Sequence, residues 1–341
     1  MFPQHSSLYH PRRQTNFPER SPGIFFGLAR LSPHRLSLQT TVIRDPWRNF
    51  RVGPLVRDPK QSPFQCAATR LPARLGPRIF GHLMNAFAAP PKSLIRLTGK
   101  ALGDFRMIAD GDRVLLGLSG GKDSLSLLHL LHHFQRRAPV RFDLAAVTID
   151  PQSEAFDPSP LIPYMKSLGV EYHYVREPIM KLATEHMDND SYCAFCSRMK
   201  RGLMYRTARA HGFNVIAMAQ HLDDLAESFL MSAFHGGRLK TMKAHYRIDA
   251  GDLRVIRPLV YVRERQTADF ARAAGLPVIS ENCPACFDMP TQRQHMKELL
   301  AREEAELPRL FRNLLSTLKP LMSEGLESIP EAPAVPAHRQ A

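Results

Sequence analysis

The chain has 341 residues, with 46 Lys and Arg against 32 Asp and Glu, enough for one large core or two small ones. Its formal charge of +14 is unevenly spread, since residues 1–80 hold 13 basic and 3 acidic side chains and leave a net of only +4 for residues 81–341. Overall basicity therefore argues nothing about nucleic acid, five cysteines are too few for a secreted disulfide scaffold, and the lack of any run of eighteen apolar residues gives a membrane span no support.

Residues 1–83 read as a disordered basic extension. Residues 1–80 hold 11 of the 28 prolines and the sole tryptophan, Trp47, without a sustained helical or alternating pattern. Arginine-rich and poor in acids, the segment is compatible with an organellar transit peptide, or with non-native sequence upstream of Met84, where the ordered part begins. Cys66 lies alone there and has no expected role. One domain is expected over 84–322, and the tail 323–341, with Pro330, Pro333 and Pro336, is expected to fray.

Within the domain, Lys92 to Phe105 carries apolar residues at helical spacing, and Ala109-Asp-Gly-Asp112 turns into the apolar run Arg113-Val-Leu-Leu-Gly-Leu118. Ser119-Gly-Gly-Lys-Asp-Ser124 follows at once, and Leu125 to Leu131 continues as a helix. Strand, glycine turn and helix start form an anion-binding order. Gly120 and Gly121 let the backbone approach the ligand, while the helix start aims unpaired N–H groups and a positive dipole end at it. Ser119 and Ser124 add hydroxyl donors, Lys122 a point charge, and Asp123 a ligand for magnesium bridging phosphates. The spacing is not that of the G-x-x-x-x-G-K-[ST] loop.

Further along, Phe142 to Ile149 predicts a second strand ending at Asp150, 158–168 a helix, and Glu171 to Val175 a third strand. Cys193 to Ala210 predicts a helix, Asn214 to Met218 a fourth strand, and Asp223 to Phe234 another helix. This alternation implies an α/β doubly wound parallel sheet, with ligands at the carboxyl ends of the strands. At one such end, Gln220-His-Leu-Asp-Asp224 opens a helix. Capping alone accounts for one acid there; Asp223 and Asp224 together, beside His221, suit magnesium and phosphate.

Four of the five cysteines form two C-x-x-C pairs, Cys193/Cys196 and Cys283/Cys286, with 86 residues between them. Three chemistries fit: a structural zinc on four thiolates, a catalytic disulfide or persulfide at Cys193 and Cys196, or a cluster on three thiolates with one iron open. After Cys196 come Arg198, Lys200, Arg201, Arg206 and Arg209, with Arg198, Arg201, Arg209 and Tyr205 near one helical face and Met199, Leu203 and Met204 suited to the core. Lys240, Lys243, Arg247, Arg254 and Arg257 extend the expected basic surface. A solvated charged face and an RNA-binding face, with Tyr205 stacking on a base, both fit this pattern.

Ser119 to Ser124 after a hydrophobic strand resembles the pyrophosphate (PP) loop of the N-type ATP pyrophosphatases. Gln220 to Asp224 resembles that family's G-H-x-x-D-D element, with Ala219 and Gln220 replacing the glycine and first histidine. Cys193-Ala-Phe-Cys-Ser-Arg-Met-Lys-Arg-Gly-Leu-Met-Tyr-Arg206 resembles the C-x-x-C-S-R-x-x-R-G-x-x-Y-R block of the tRNA 2-thiocytidine synthetase family. The likeness continues through Phe234 to Met242, Arg257 to Glu264 and Cys283 to Gln294, and covers roughly residues 92–300.

The resemblance implies a cytoplasmic, ATP-dependent tRNA sulfurtransferase that adenylates C2 of an anticodon-loop cytidine, cytidine 32, and replaces its oxygen with sulfur. ATP and Mg2+ are expected on Ser119, Gly120, Gly121, Lys122, Asp123, Ser124, Asp150, His221 and Asp224, with Asp123 and Asp223 on the metal. A 4Fe-4S cluster is expected on Cys193, Cys196 and Cys283, with Cys286 spare. Lys122, Asp123, Cys193 and Cys196 are the expected catalytic residues. Expected partners are tRNA, a sulfur donor such as a cysteine desulfurase, and a second copy in a homodimer. The alternatives are another adenylating enzyme of the same fold, such as a lysidine synthetase, or a zinc-stabilised RNA-binding module without turnover.

Overall fold

A computed structural model of the protein describes residues 87–153, 156–186, 192–279 and 292–328. The expected extension 1–83, Cys66, Cys283, Cys286 and the tail beyond 328 lie outside the described residues. In chain order the elements are α1 (Lys92–Asp104), β1 (Asp112–Gly117), α2 (Lys122–Arg137), β2 (Phe142–Asp150), α3 (Leu161–Leu168), β3 (Glu171–Arg176), α4 (Ile179–His186) and α5 (Tyr192–His211). They continue with β4 (Val215–Ala217), α6 (Leu222–Gly236), β5 (His245–Arg247), β6 (Arg254–Ile256), α7 (Glu264–Ala273), α8 (Gln292–Glu306) and α9 (Leu310–Met322).

The strands stand in the order β3-β2-β1-β4-β6-β5. All neighbours pair in parallel except β5, which lies antiparallel on β6 at the edge. The doubly wound sheet expected from the alternation is present. Its last two strands escape sequence reading because each has three residues that mix charged or polar with apolar side chains, His-Tyr-Arg and Arg-Val-Ile, whereas the equally short β4 is wholly apolar.

Residues along each strand divide between two faces, as period two requires. Val114 and Leu116 of β1, Leu144 and Ala146 of β2 and Val215 and Ala217 of β4 join a core with α1, α2, α6 and α9. Their neighbours Leu115, Ala145, Val147 and Ile216 join a second core with Ile179 and Ala183 of α4 and Leu203, Met204 and Ala208 of α5. Burial on both faces explains why these strands read as unbroken apolar runs.

This topology positions the site. The chain leaves β1 toward β2 and β3 on one side and later returns to β4 on the other, so the order reverses between β1 and β4. A crevice opens beyond the carboxyl ends of strands at such a point. The described chain also runs past Met322 into a short 3-10 turn, Leu326–Ser328, where the Leu326 carbonyl accepts a hydrogen bond from Arg106. Among the described residues no helix is long and apolar enough to cross a membrane.

Candidate functional site

At the reversal point lies a cleft of about 450 Å³, lined by Gly117, Ser119, Gly121, Lys122, Asp123 and Ser124 on one side. Met218, Ala219, Gln220 and Asp224 line it on the other, with Val278 and Ile279 closing it. Gly120 has φ +89°, a conformation that side chains resist, and a Cβ there would meet Ile279 at 3.1 Å. The Ile279 N–H donates to the Gly120 carbonyl at 2.9 Å. Gly121 caps α2 without a side chain, so the first-turn N–H groups of Lys122, Asp123 and Ser124 have no intrahelical acceptor and face the cleft end. Ser119 Oγ accepts from the Gly121 N–H at 3.2 Å and lies 3.2 Å from Ser124 Oγ, which holds the turn in shape.

The charged groups form one linked set. Lys122 Nζ donates to Asp123 Oδ2 at 3.0 Å and to Glu264 Oε1 at 2.9 Å, and Lys297 of α8 pairs with the other Glu264 oxygen at 2.7 Å. The Thr267 hydroxyl donates to Asp123 Oδ1. Burial by itself pushes the Asp123 carboxyl up, but His221, Thr267 and Lys122 outweigh it and hold it at about 2. Burial likewise works against the Lys122 charge, and Asp123 and Glu264 reverse this and raise its pKa. Both groups are therefore charged at neutral pH.

His221 caps α6: Asp224 N–H donates to its Nδ1 at 3.4 Å, and His221 N–H donates to Asp224 Oδ2 at 3.0 Å. The cap leaves the ring proton on Nε2, 3.6 Å from Asp123 Oδ2, a coulombic rather than a hydrogen-bonding distance. Burial opposes a charged ring, yet the surrounding aspartates raise its pKa. Asp224 faces the cleft and meets Arg293 Nη1 at 3.3 Å. Asp223 does not line the cleft: Oδ1 accepts from Arg263 Nε at 3.0 Å and Oδ2 from the Glu264 N–H at 2.8 Å. Arg263 is in turn forked onto Glu304 at 2.6 and 2.8 Å. The adjacent acids thus differ in duty, Asp223 joining α6 to α7 and Asp224 facing the ligand space. Asp150 ends β2 with Oδ1 on the Gln152 N–H and Oδ2 on the Tyr174 hydroxyl, each at 2.8 Å.

Cys193 and Cys196 lie in the first two turns of α5. This helix returns antiparallel to the strands. Its end is held at the start of β1 by a bond from Arg113 to the His211 carbonyl at 2.9 Å, whereas Met204 Sδ would stand 3.0 Å from a Cβ on Gly117, the last residue of β1. Cys196, eight residues earlier, sits about 12 Å further along the axis. The C-x-x-C pair therefore stands at the same edge of the sheet as the glycine turn. Cys196 is half-buried against the second core. The segment 280–291, which carries Cys283 and Cys286, lies outside the described residues, but both its flanks reach the cleft, Ile279 at Gly120 and Arg293 at Asp224.

The expected basic surface is corrected in part. Arg257 is 8 % exposed and donates to Gln220 at 2.9 Å and to the Lys243 carbonyl at 2.6 Å. Arg254 is paired with Asp112 inside the fold. Arg209 grips Asp252 through two bonds of 2.6 and 3.0 Å. Tyr205 is half-buried, and burial, with Tyr246 nearby adding to it, pushes its hydroxyl up to about 12. Arg201, Arg206, Lys240 and Arg247 remain exposed, and Arg238, which was not among the expected residues, is exposed as well. Glu264, Thr267, Arg293 and Lys297 were missed by sequence reading. Glu264 and Arg293 fall within blocks that carry the family resemblance, the one available signal, but contact across the cleft leaves no local pattern.

Residues 95–286 match the PP-loop domain family. The chain is 40 % identical over 248 residues to the tRNA-cytidine(32) 2-sulfurtransferase of Geobacter metallireducens, covering 69 % of this chain and 94 % of that protein. It is 41 % identical over 225 residues to the protein of that name from Cupriavidus metallidurans, 65 % of this chain and 71 % of that one. Among solved structures, the U34-tRNA thiolase NcsA from Methanococcus maripaludis, with its 4Fe-4S cluster, superposes with a TM-score of 0.57 at 22 % identity. That match covers 70 % of this chain and 79 % of NcsA and establishes a shared fold.

Proposed function

The chain belongs to the PP-loop family, in its tRNA-cytidine(32) 2-sulfurtransferase branch, and on that footing we propose that it adenylates C2 of cytidine 32 in tRNA with ATP and exchanges the C2 oxygen for sulfur. The observation that carries the reading is convergence at one sheet edge. The glycine turn, the C-x-x-C pair of α5 and both flanks of the segment bearing Cys283 all stand there.

The cleft fits a nucleotide. A side chain at Gly120 would press on Ile279, which lines the cleft, the α2 N-terminus offers three N–H groups, and Met218, Ala219 and Val278 give an apolar wall. Asp123, ionised at neutral pH, and Asp224 across the cleft are oxygen ligands that suit a hard cation such as Mg2+. In the first step the cytidine O2 attacks the α-phosphate, a P–O bond forms to O2, and the bond to the β-phosphate breaks. Lys122, the turn N–H groups and the Ser119 and Ser124 hydroxyls take up the charge that grows on pyrophosphate. Glu264 holds Lys122 in place, and Lys297 holds Glu264. In the second step sulfide forms a bond to C2 and AMP departs with the oxygen. Cys193, Cys196 and Cys283 would hold a 4Fe-4S cluster, thiolates being its usual ligands, and the cluster would supply the sulfide used in this step. Exposed Arg201, Arg206, Arg238 and Lys240 support an RNA backbone passing this edge.

The test is nucleoside mass spectrometry and position mapping on unmodified tRNA incubated with the full chain, its cluster reconstituted, ATP and sulfide. The expected product is 2-thiocytidine at position 32, with AMP and pyrophosphate released in step and no product from Cys196→Ser. A thiolated uridine at position 34, lysidine, or thiolation without ATP would overturn the reading.

A further inference from the structure

Away from the cleft, one more set of ligating side chains meets among the described residues. Glu171 and His173 stand two apart on β3, so both project from the face covered by α5, as does Val175, which packs on the second core. His211, in the last turn of α5, arrives over the same face. One ligand atom from each of the three, a carboxylate oxygen and two imidazole nitrogens, lies within 4.8 Å of the others. His173 Nε2 is 3.0 Å from Glu171 Oε1, and the two imidazole rings are 4.1 Å apart between centroids.

We infer that Glu171, His173 and His211 form a metal site for a divalent first-row ion such as Zn2+, separate from the thiolates and the nucleotide cleft. Two imidazoles and a carboxylate are the donors such ions take, with the remaining position left to water. A tetrahedral ion with bonds of about 2.0–2.1 Å needs ligand atoms about 3.4 Å apart, which small side-chain rotations supply from the observed spread. The frame is fixed beforehand. His173 packs edge-on against Phe213 at 5.8 Å. Gly212, with φ +72°, ends α5 in a left-handed residue, and Arg113 holds the His211 carbonyl. The nearby Arg113 charge is engaged over the Phe213 ring at 4.9 Å and with Asp143 at 3.4 Å. An ion pair with Glu171 needs one histidine, and a bound cation would use the second imidazole as well. The ion would tie the outer strand of the sheet to the helix that carries Cys193 and Cys196.

The experiment uses untagged full-length protein stripped of metal, with Co2+ as the probe, before and after alkylation of the thiols. Expected is one equivalent of Co2+ retained through gel filtration by the alkylated protein, with weak visible bands and no thiolate-to-cobalt charge transfer. His173→Ala and His211→Ala should each weaken that binding by at least about tenfold, with unchanged far-ultraviolet circular dichroism. His211 is exposed, so its variant keeps the test valid should His173→Ala misfold. Retention of Co2+ only by unalkylated protein, or binding indifferent to both substitutions, would overturn the site.

Discussion

The two ends of β1 carry the same kind of group in opposite use. Asp112 starts the strand at 5 % exposure and is closed by donors on every side: Asn214 at 2.9 Å, the Ala109 N–H at 2.7 Å, and Arg254. Asp123 follows the other end at 24 % side-chain exposure. There Lys122, Thr267 and His221 share it, and Lys122 is itself divided between two carboxylates. A carboxylate whose donors have no rival ligand holds the sheet together. One whose partners can change, as at Asp123, suits the incoming cation proposed there.

Substitution at each end sharpens the contrast. Asp112→Ala leaves the Arg254 charge buried without its partner and should cost about 3–5 kcal/mol in urea unfolding, while thiolation by the folded fraction stays near that of the wild type. Lys122→Ala should do the reverse, lowering kcat by about 10²–10³ and shifting stability by about 1 kcal/mol or less. If both variants lost stability alike, the distinction between the two ends would fail.

A buried acid beside the cleft gives a pH signature. Glu227 is 5 % exposed, and burial with Asp224 nearby pushes its carboxyl from 4.5 to about 6, against the pull of Arg293. The folded state holds this proton more tightly than the unfolded chain does. Its contribution is therefore complete below pH 4.5 and is lost as pH rises through about 6, a fall of about 2 kcal/mol. In metal-free protein, Glu227→Gln should remove that fall from the stability profile measured by urea unfolding between pH 4 and 7. The smallest effect expected is at the turn: Gly120→Ala should cost about 1–2 kcal/mol through its φ of +89° and raise the KM for ATP, because Ile279 must yield to the new Cβ.

Much of this was legible before any coordinates. The turn Ser119–Ser124 and the strands β1 to β4 announce themselves because glycine placement and apolar runs are local signals. His221, Asp223 and Asp224 were equally visible as a group. Their separate duties were not, since Arg263 and the Glu264 N–H claim Asp223 from 40 and 41 residues away. Arg254 and Arg257 read as surface charge and turned inward for the same reason, each meeting its acceptor only after the chain folds.

By itself the sequence determined the layered α/β architecture, the phosphate turn and the cysteine pairs, because short-range periodicity and backbone chemistry encode them. Tertiary structure alone decided which of two adjacent acids faces the cleft. It also made Glu264, Thr267, Arg293 and Lys297 its supports, and it brought His211 onto Glu171 and His173. Charge partnerships depend on distance in space, falling off with separation and burial, and nothing in the linear order of residues records that distance.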